Sequence, residues 1–159
     1  MKAIRVGLGF DIHRLERNKE LFLGGVKIDF PFGLAAHSDG DVVLHAVCDS
    51  ILGALGKKDI GHFFPNTSKY LRGVCSLKLL NKVSKIMNDS GFMIVNLDCV
   101  IICDEPKISP YIDEMKKNIG HILKIGKELV AIKSTTTEGA LLFSKRAIAA
   151  YSVCLLKEK

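Results

Sequence analysis

Residues 3–13 of the chain read AIRVGLGFDIH, and residues 36–45 read AHSDGDVVLH. Asp11 and His13 stand two positions apart, so an extended backbone directs both side chains to one side. A helix beginning in the second stretch would bring His45 to them from elsewhere in the fold. Two imidazole nitrogens and one carboxylate oxygen suit a zinc ion with an open fourth position, which is the arrangement of catalytic zinc sites.

The remaining sequence alternates strand-like and helix-like segments. The predicted strands are residues 3–10, two short strands within 20–30, and residues 92–103, 129–133 and 147–156. The predicted helices run from a cap at Asp39 or Asp41 to about residue 55, from 74 to 88 and from 111 to 124. Residues 32–38 and 57–68 are predicted loops, and the second has the composition of a binding lid. Since no repeat or linker appears, residues 1–159 are predicted to form one α+β domain, a mixed β-sheet covered by helices.

The composition favours certain partners. Apolar residues make up 48% of the chain and the mean hydropathy is +0.22, which indicates that another subunit covers some apolar surface. The net charge of +6 is scattered, which favours a small anionic substrate over nucleic acid. The odd number of cysteines, five, indicates reduced core residues, and the absence of a long apolar segment indicates a cytoplasmic protein outside any membrane.

Other residues have both a functional and a structural interpretation. Ser134 to Glu138 offer hydroxyls for phosphate and a carboxylate for magnesium, or form an ordinary threonine-rich strand end. Lys107 is a phosphate contact or a surface lysine, and Asp49, one turn after His45, is a candidate to orient its ring. Two glycines at positions 7 and 9 are predicted to admit a neighbouring strand or chain.

Four separated motifs resemble those of the 2-C-methyl-D-erythritol 2,4-cyclodiphosphate synthase family across essentially the whole chain. They are GFDIH at 9–13, AHSDGD at 36–41 followed by His45, DIG at 59–61 with FP at 64–65, and TTTE at 135–138. The resemblance implies a homotrimer whose sheets face the threefold axis, with active sites between neighbouring subunits.

The activity implied by the resemblance belongs to the non-mevalonate isoprenoid pathway. The substrate would be 4-diphosphocytidyl-2-C-methyl-D-erythritol 2-phosphate. Metal-assisted intramolecular attack of its 2-phosphate on the β-phosphorus would give the cyclic diphosphate and release CMP.

The resemblance also implies roles for individual residues. Zinc would be held by Asp11, His13 and His45, and a magnesium or manganese ion by Glu138 and the substrate phosphates. His37 and Thr136 would stabilise the transition state. The methylerythritol part would contact Ser38, Asp59, Ile60, Gly61, Phe64, Pro65, Asn66, Thr67 and Ser68. The cytidine and phosphate pocket of an adjacent chain would comprise Cys103, Asp104, Glu105, Pro106, Lys107, Ile108, Ser109, Ser134, Thr135 and Thr137.

The chain departs from the family pattern at two places. Asn66 replaces an aspartate after Phe-Pro, which removes a carboxylate but keeps an acceptor, so weaker substrate binding is expected. After Glu138 the chain is one residue shorter and poor in glycine. Phe143 belongs to this substrate-binding segment, and Lys145 and Arg146 are both candidates for the family's phosphate-binding arginine.

Two alternatives remain beside the cyclising enzyme. One is a metal-dependent phosphohydrolase that acts on nucleotide diphosphates with zinc-bound water. The other is a trimeric binding module without catalysis, which the complete set of Asp11, His13, His45 and Glu138 argues against.

Overall fold

The computed structural model describes residues 2–65, 67, 73–139 and 146–159. The elements within these ranges are β1 (Ile4–Arg17), β2 (Leu21–Leu23), β3 (Val26–Ile28), β4 (Phe32–Leu34), α1 (Val42–Ala54), α2 (Ile60–Phe63), α3 (Ser76–Asp89), β5 (Phe92–Ile102), α4 (Ile112–Leu123), β6 (Val130–Thr135) and β7 (Ala147–Glu158). Five strands form a sheet in the order β4-β1-β7-β5-β6, and β2 and β3 form a separate hairpin. Since β5 and β6 pair in parallel and the other neighbours are antiparallel, the predicted mixed α+β sheet is confirmed.

Strand β1 packs directly against α1 through two glycines. A Cβ atom built on Gly7 would lie 1.9 Å from the carbonyl oxygen of Ser50, and one on Gly9 would lie 1.9 Å from that of Ala46. Such distances are far inside van der Waals contact, so only glycine permits this separation of strand and helix. The predicted close approach at these glycines is therefore made to a helix of the same chain, and the expectation of a neighbouring strand is wrong.

Helix α1 is buried on nearly every side. It contacts β1 and β7 on one side and α3 on the other. A helix covered on both sides is apolar all around, which explains why its hydrophobic periodicity is weak. His45 lies one turn inside this helix, at its edge facing β1.

The N-terminus of α1 is fixed by the buried carboxylate of Asp41. This carboxylate accepts hydrogen bonds from the backbone N–H groups of Val43 and Leu44 in the helix, both at 3.1 Å. It also accepts from Gly24 at 2.9 Å and Gly25 at 2.7 Å, in the turn between β2 and β3. Burial raises the pKa of Asp41 to about 6, against the opposing effect of these donors. One side chain thus joins the hairpin turn to the start of α1.

Several predicted boundaries need correction. Strand β1 continues through Arg17 and carries both Asp11 and His13. The predicted loop 32–38 contains β4, which pairs with the end of β1 but is too short to show a periodic pattern. The predicted loop 57–68 contains α2, whose first turn is capped by Asp59, since that carboxylate accepts from the His62 N–H at 2.9 Å.

The other predicted helices and strands are confirmed within a few residues. Helix α3 buries Leu80, Val83, Ser84 and Met87, and it ends before Gly91, which has a φ of +81°. All five cysteines are free, but Cys75 is exposed, so the prediction of core cysteines is wrong for that residue. No helix among the described residues is long and apolar enough to cross a membrane.

The face of β1 that points away from α1 exposes large apolar side chains. Ile4, Val6 and Leu8 are 70%, 68% and 65% exposed. The same face continues onto β7 and β5, with exposed Tyr151, Val153 and Met93. Phe10 and Tyr151 stack across it with ring centroids 4.6 Å apart. A contiguous apolar surface of this kind is typical of an interface between proteins.

We predict that Gly9→Ala lowers the free energy of unfolding by about 1–3 kcal/mol, because the added methyl group meets the backbone of α1. Gly53→Ala is the matched control, since its Cβ atom would lie 3.7 Å from the nearest atom. Alanine there should raise stability by about 0.5–1 kcal/mol, as expected inside a helix. Urea unfolding at one fixed protein concentration measures both changes, and an unaltered midpoint for Gly9→Ala would contradict the packing described.

Candidate metal centre

Three side chains from β1 and α1 converge at one point, as the sequence predicted. Asp11 Oδ2 lies 3.1 Å from His13 Nε2 and 2.8 Å from His45 Nδ1. One potential ligand atom from each of the three residues lies within 4.8 Å of the other two. The i, i+2 spacing on β1 supplies Asp11 and His13, and the close packing at Gly7 and Gly9 brings the helix-borne His45 to them.

The charges at this point favour an ionised carboxylate. Burial acts to raise the pKa of Asp11, but the hydrogen bonds and positive charge of His13 and His45 outweigh it and hold the pKa below its ordinary value. Burial likewise acts to lower the pKa of His45, but Asp11 outweighs it and the net shift is upward. A metal ion would take the place of the proton between these groups.

The geometry fits a divalent metal ion. Tetrahedral zinc with bonds of about 2.0–2.1 Å separates its ligand atoms by roughly 3.3 Å. The two observed distances, 2.8 and 3.1 Å, are within a few tenths of an ångström of this value. The side chains of Asp11 and His13 are 23% and 25% exposed, so one side of the cluster is reachable. The cluster could therefore hold a metal with a position left for a ligand.

That reachable side faces a cavity of about 360 Å³, which we call the metal cavity. Its lining includes five further residues that the sequence assigned to the site, namely His37, Ser38, Ile60, Gly61 and Phe64. Four lining residues were not predicted, and they are Ala35, Ala36, Val74 and Leu79. These four carry no polar side chain, so no chemical signal in the sequence marks them.

The second nitrogen of the His45 ring has partners that differ from the predicted one. His45 Nε2 lies 3.0 Å from Ser76 Oγ and 3.2 Å from Ser38 Oγ. Asp49 instead accepts a hydrogen bond from the backbone N–H of Ile60 at 2.7 Å. The expectation that Asp49 orients the ring is therefore wrong, because its carboxylate is used to hold the start of α2.

The remaining predicted residues form a second group at the ends of β5 and β6. The N–H of Cys103 donates to the carbonyl oxygen of Thr135 at 2.9 Å. The Asp104 carboxylate accepts from the N–H of Thr137 at 2.7 Å and from its hydroxyl at 2.9 and 3.0 Å. Thr136 donates its hydroxyl to Glu138. Asp104, predicted to bind substrate, is thus occupied in holding the loop that carries Thr136 and Glu138.

Within this second group some side chains are accessible and others are not. Lys107, Ser109, Ser134 and Thr135 are exposed, and Pro106 is half-buried. Cys103 and Ile108 are only 5% and 2% exposed and belong to the core.

A further cavity of about 520 Å³ lies beside this group. Glu105 and Arg146 line it, together with Leu15, Arg17, Phe30 and Phe32. None of the second group lines the metal cavity.

A few predicted residues lie at the margin of the described structure. Pro65 and Thr67 are exposed, beyond the end of α2, and they do not line the metal cavity. Asn66, Ser68, Phe143 and Lys145 lie outside the described residues, so of the two candidates for the phosphate-binding arginine only Arg146 is placed.

The fold and the cluster together define a class, the α+β proteins in which a sheet strand and its covering helix bring together a carboxylate and two imidazoles that could hold a metal ion. Within that class, the model of the YgbB family matches residues 4–157. The chain belongs to the YgbB family.

Relatives and solved structures agree with this membership. A 2-C-methyl-D-erythritol 2,4-cyclodiphosphate synthase from Clostridium kluyveri is 48% identical over 96% of this chain and 94% of its own length. The structure of a Plasmodium falciparum IspF in complex with CDP has a TM-score of 0.86 and 36% identity, covering 99% of this chain and 97% of that one. The bifunctional IspDF of Campylobacter jejuni has a TM-score of 0.95 and 36% identity, and this chain covers 43% of that longer protein.

We predict that His45→Ala abolishes tight binding of one zinc ion per chain, because it removes one of three protein ligands. His62→Ala is the matched control, since His62 is an exposed histidine of α2 outside the cluster. Metal content after dialysis gives the readout, and circular dichroism checks that both variants fold. Full zinc retention by folded His45→Ala would refute the ligand assignment.

Proposed function

We propose that the chain is a phosphorus–oxygen lyase that converts 4-diphosphocytidyl-2-C-methyl-D-erythritol 2-phosphate into 2-C-methyl-D-erythritol 2,4-cyclodiphosphate and CMP, in the non-mevalonate isoprenoid pathway. The observation that carries this proposal is the Asp11, His13 and His45 cluster facing a cavity lined by His37 and Ser38. The proposal is also supported by the 48% identity, over 96% of this chain, to a 2-C-methyl-D-erythritol 2,4-cyclodiphosphate synthase.

The proposed metal at the cluster is zinc, since two imidazoles and one carboxylate with an open position match catalytic zinc sites. The proposed metal at Glu138 is magnesium or manganese, which prefer carboxylate and phosphate oxygens. Bound together, the two ions would neutralise charge on the diphosphate and polarise its phosphorus–oxygen bonds.

The protein's own residues have a limited chemical task. A phosphate monoester has a second pKa of about 6, so the attacking 2-phosphate is already largely dianionic and needs no strong base. The difficulty is to bring this anion to a charged diphosphate. His37, Lys107 and Thr136 are proposed to donate hydrogen bonds to the phosphates as charge shifts onto the departing CMP. Because the attack is intramolecular, holding the two phosphates in line supplies much of the acceleration.

We propose that a complete site requires two subunits of a homotrimer, with the sheets facing the threefold axis. The apolar face of β1 and β7 offers the surface that such an assembly would bury. The residues proposed for the cytidine and phosphate pocket do not line the metal cavity of their own chain. A neighbouring chain that brings its Lys107 and Thr136 to this cavity would complete the site.

We also propose a single domain and a cytoplasmic location for the chain. Residues 1–159 are proposed to form one synthase domain, in keeping with the family match over 4–157. A cytoplasmic location is supported by five cysteines that are all free.

The proposed reaction is tested by incubating the protein, zinc, magnesium and the substrate in water enriched in oxygen-18. Cyclisation gives a cyclic diphosphate and CMP without the label, as read by phosphorus NMR and mass spectrometry. A linear phosphate product carrying the label would instead establish the phosphohydrolase, and binding of CDP without turnover would establish the binding module.

A variant pair links this reaction to the cavity. His37→Ala should reduce turnover by about 10²-fold or more, the usual cost of losing a donor to a transition-state oxygen. His62→Ala should retain the rate of the unsubstituted protein. Equal rates for the two variants would remove His37 from the mechanism.

We predict that light scattering gives three times the 17.5 kDa chain mass and that Leu8→Asp gives a smaller species with little activity, because it places charge in the proposed interface. Leu129→Asp is the control and should remain a trimer, since Leu129 is 38% exposed in the turn before β6, outside the strands β1, β5 and β7 that form that face. A fully active single chain would refute the shared site.

A further inference from the structure

A line of polar contacts leads from the metal cluster to the N-terminus of α3. His45 Nε2 lies 3.0 Å from Ser76 Oγ. Ser76 in turn donates its hydroxyl to Asp39 Oδ1, and its backbone N–H donates to Asp39 Oδ2 at 2.8 Å. Ser76 is fully buried and is the first residue of α3.

The directions of these hydrogen bonds follow from the groups involved. An ionised Asp39 can only accept, so the single hydroxyl proton of Ser76 is committed to it. Ser76 Oγ is then left with lone pairs, which makes it an acceptor for His45. His45 therefore donates an Nε2 proton to Ser76. In the metal-free protein Nδ1 also donates to Asp11, at 2.8 Å. A metal ion would replace that second proton, which leaves the ring proton on Nε2 and the lone pair of Nδ1 for the metal.

Asp39, which accepts the Ser76 hydroxyl proton, is held in place by a backbone hydrogen bond. Its N–H donates to the carbonyl oxygen of Val74 at 3.2 Å. Gly73 N–H similarly donates to the carbonyl oxygen of His37 at 2.7 Å. Two backbone hydrogen bonds thus join the residues just before α3 to the segment that carries His37 and Ser38.

Ser38 is the weaker of the two ring partners. Its Oγ lies 3.2 Å from His45 Nε2 and also accepts the N–H of Gly40 at 3.2 Å. Its side chain makes no hydrogen bond to a carboxylate among the described residues. Ser76 is therefore the group that fixes the ring.

We propose that Ser76, oriented by Asp39, is a positioning residue for the metal centre that sets the tautomer and the rotation of the His45 ring. The proposal rests on the proposed function in one respect, namely that the cluster holds zinc. Partners of this kind, one shell beyond the ligands, typically change metal affinity by about 10–100-fold when removed.

The test is zinc affinity of the metal-stripped, full-length protein, measured by competition with a chromophoric chelator. Ser76→Ala should bind zinc about 10–100-fold more weakly, and Ser76→Thr, which keeps the hydroxyl, should bind within a few-fold of the unsubstituted protein. Ser84→Ala is the matched control, because Ser84 is a buried serine of the same helix, and its affinity should not change.

The outcomes separate this proposal from the function. Unchanged affinity in Ser76→Ala would overturn the role of Ser76 and leave the proposed function standing. No zinc binding by the unsubstituted protein would overturn both.

A second measurement uses the unsubstituted zinc protein and serves even where Ser76→Ala does not fold. Nitrogen-15 NMR of the His45 ring should show the proton on Nε2, slow to exchange, and the metal on Nδ1. A proton on Nδ1, or an Nε2 proton in rapid exchange with water, would overturn the proposal.

Discussion

The contact between β1 and α1 at Gly7 and Gly9 is the constraint on which the site depends. At those two positions the carbonyl oxygens of the helix occupy the space of a side chain. This brings the helix axis so near the strand that a histidine one turn into α1 touches a carboxylate on β1. A wider separation, as between an ordinary strand and helix, would place His45 beyond reach of Asp11 and His13.

Asp41 is the second contact that positions His45, because it fixes the start of α1. Its carboxylate fixes where α1 begins and, through Gly24 and Gly25, how the β2–β3 hairpin lies against it. A buried charge is unfavourable by itself, and backbone donors offset its loss of water. The position of His45 along and around α1 follows from this anchor, so the metal cluster is determined by backbone contacts more than by contacts among its own ligands.

Local patterns in the sequence predicted much of this arrangement. Asp11 and His13 could be placed on one side of a strand because the period of two is local, and Asp41 could be recognised as a cap from its position. Asp39 and Ser76 could not be paired, since 37 positions separate them and no periodicity links them. One hint of this pairing was present in the sequence: Asp39 and Asp41 were both candidate caps for α1, which needs only one. Asp41 caps α1, and Asp39 instead binds Ser76 at the start of α3. β4 and α2 were missed because three or four residues cannot establish a period.

The central claim is that Asp11, His13 and His45 hold one zinc ion. The most direct measurement is anomalous diffraction at the zinc absorption edge, from crystals grown with Zn²⁺. The account predicts one strong peak per chain, about 2.0–2.2 Å from a carboxylate oxygen of Asp11 and from one ring nitrogen each of His13 and His45. A peak bound elsewhere, with these three side chains free of metal, would contradict it.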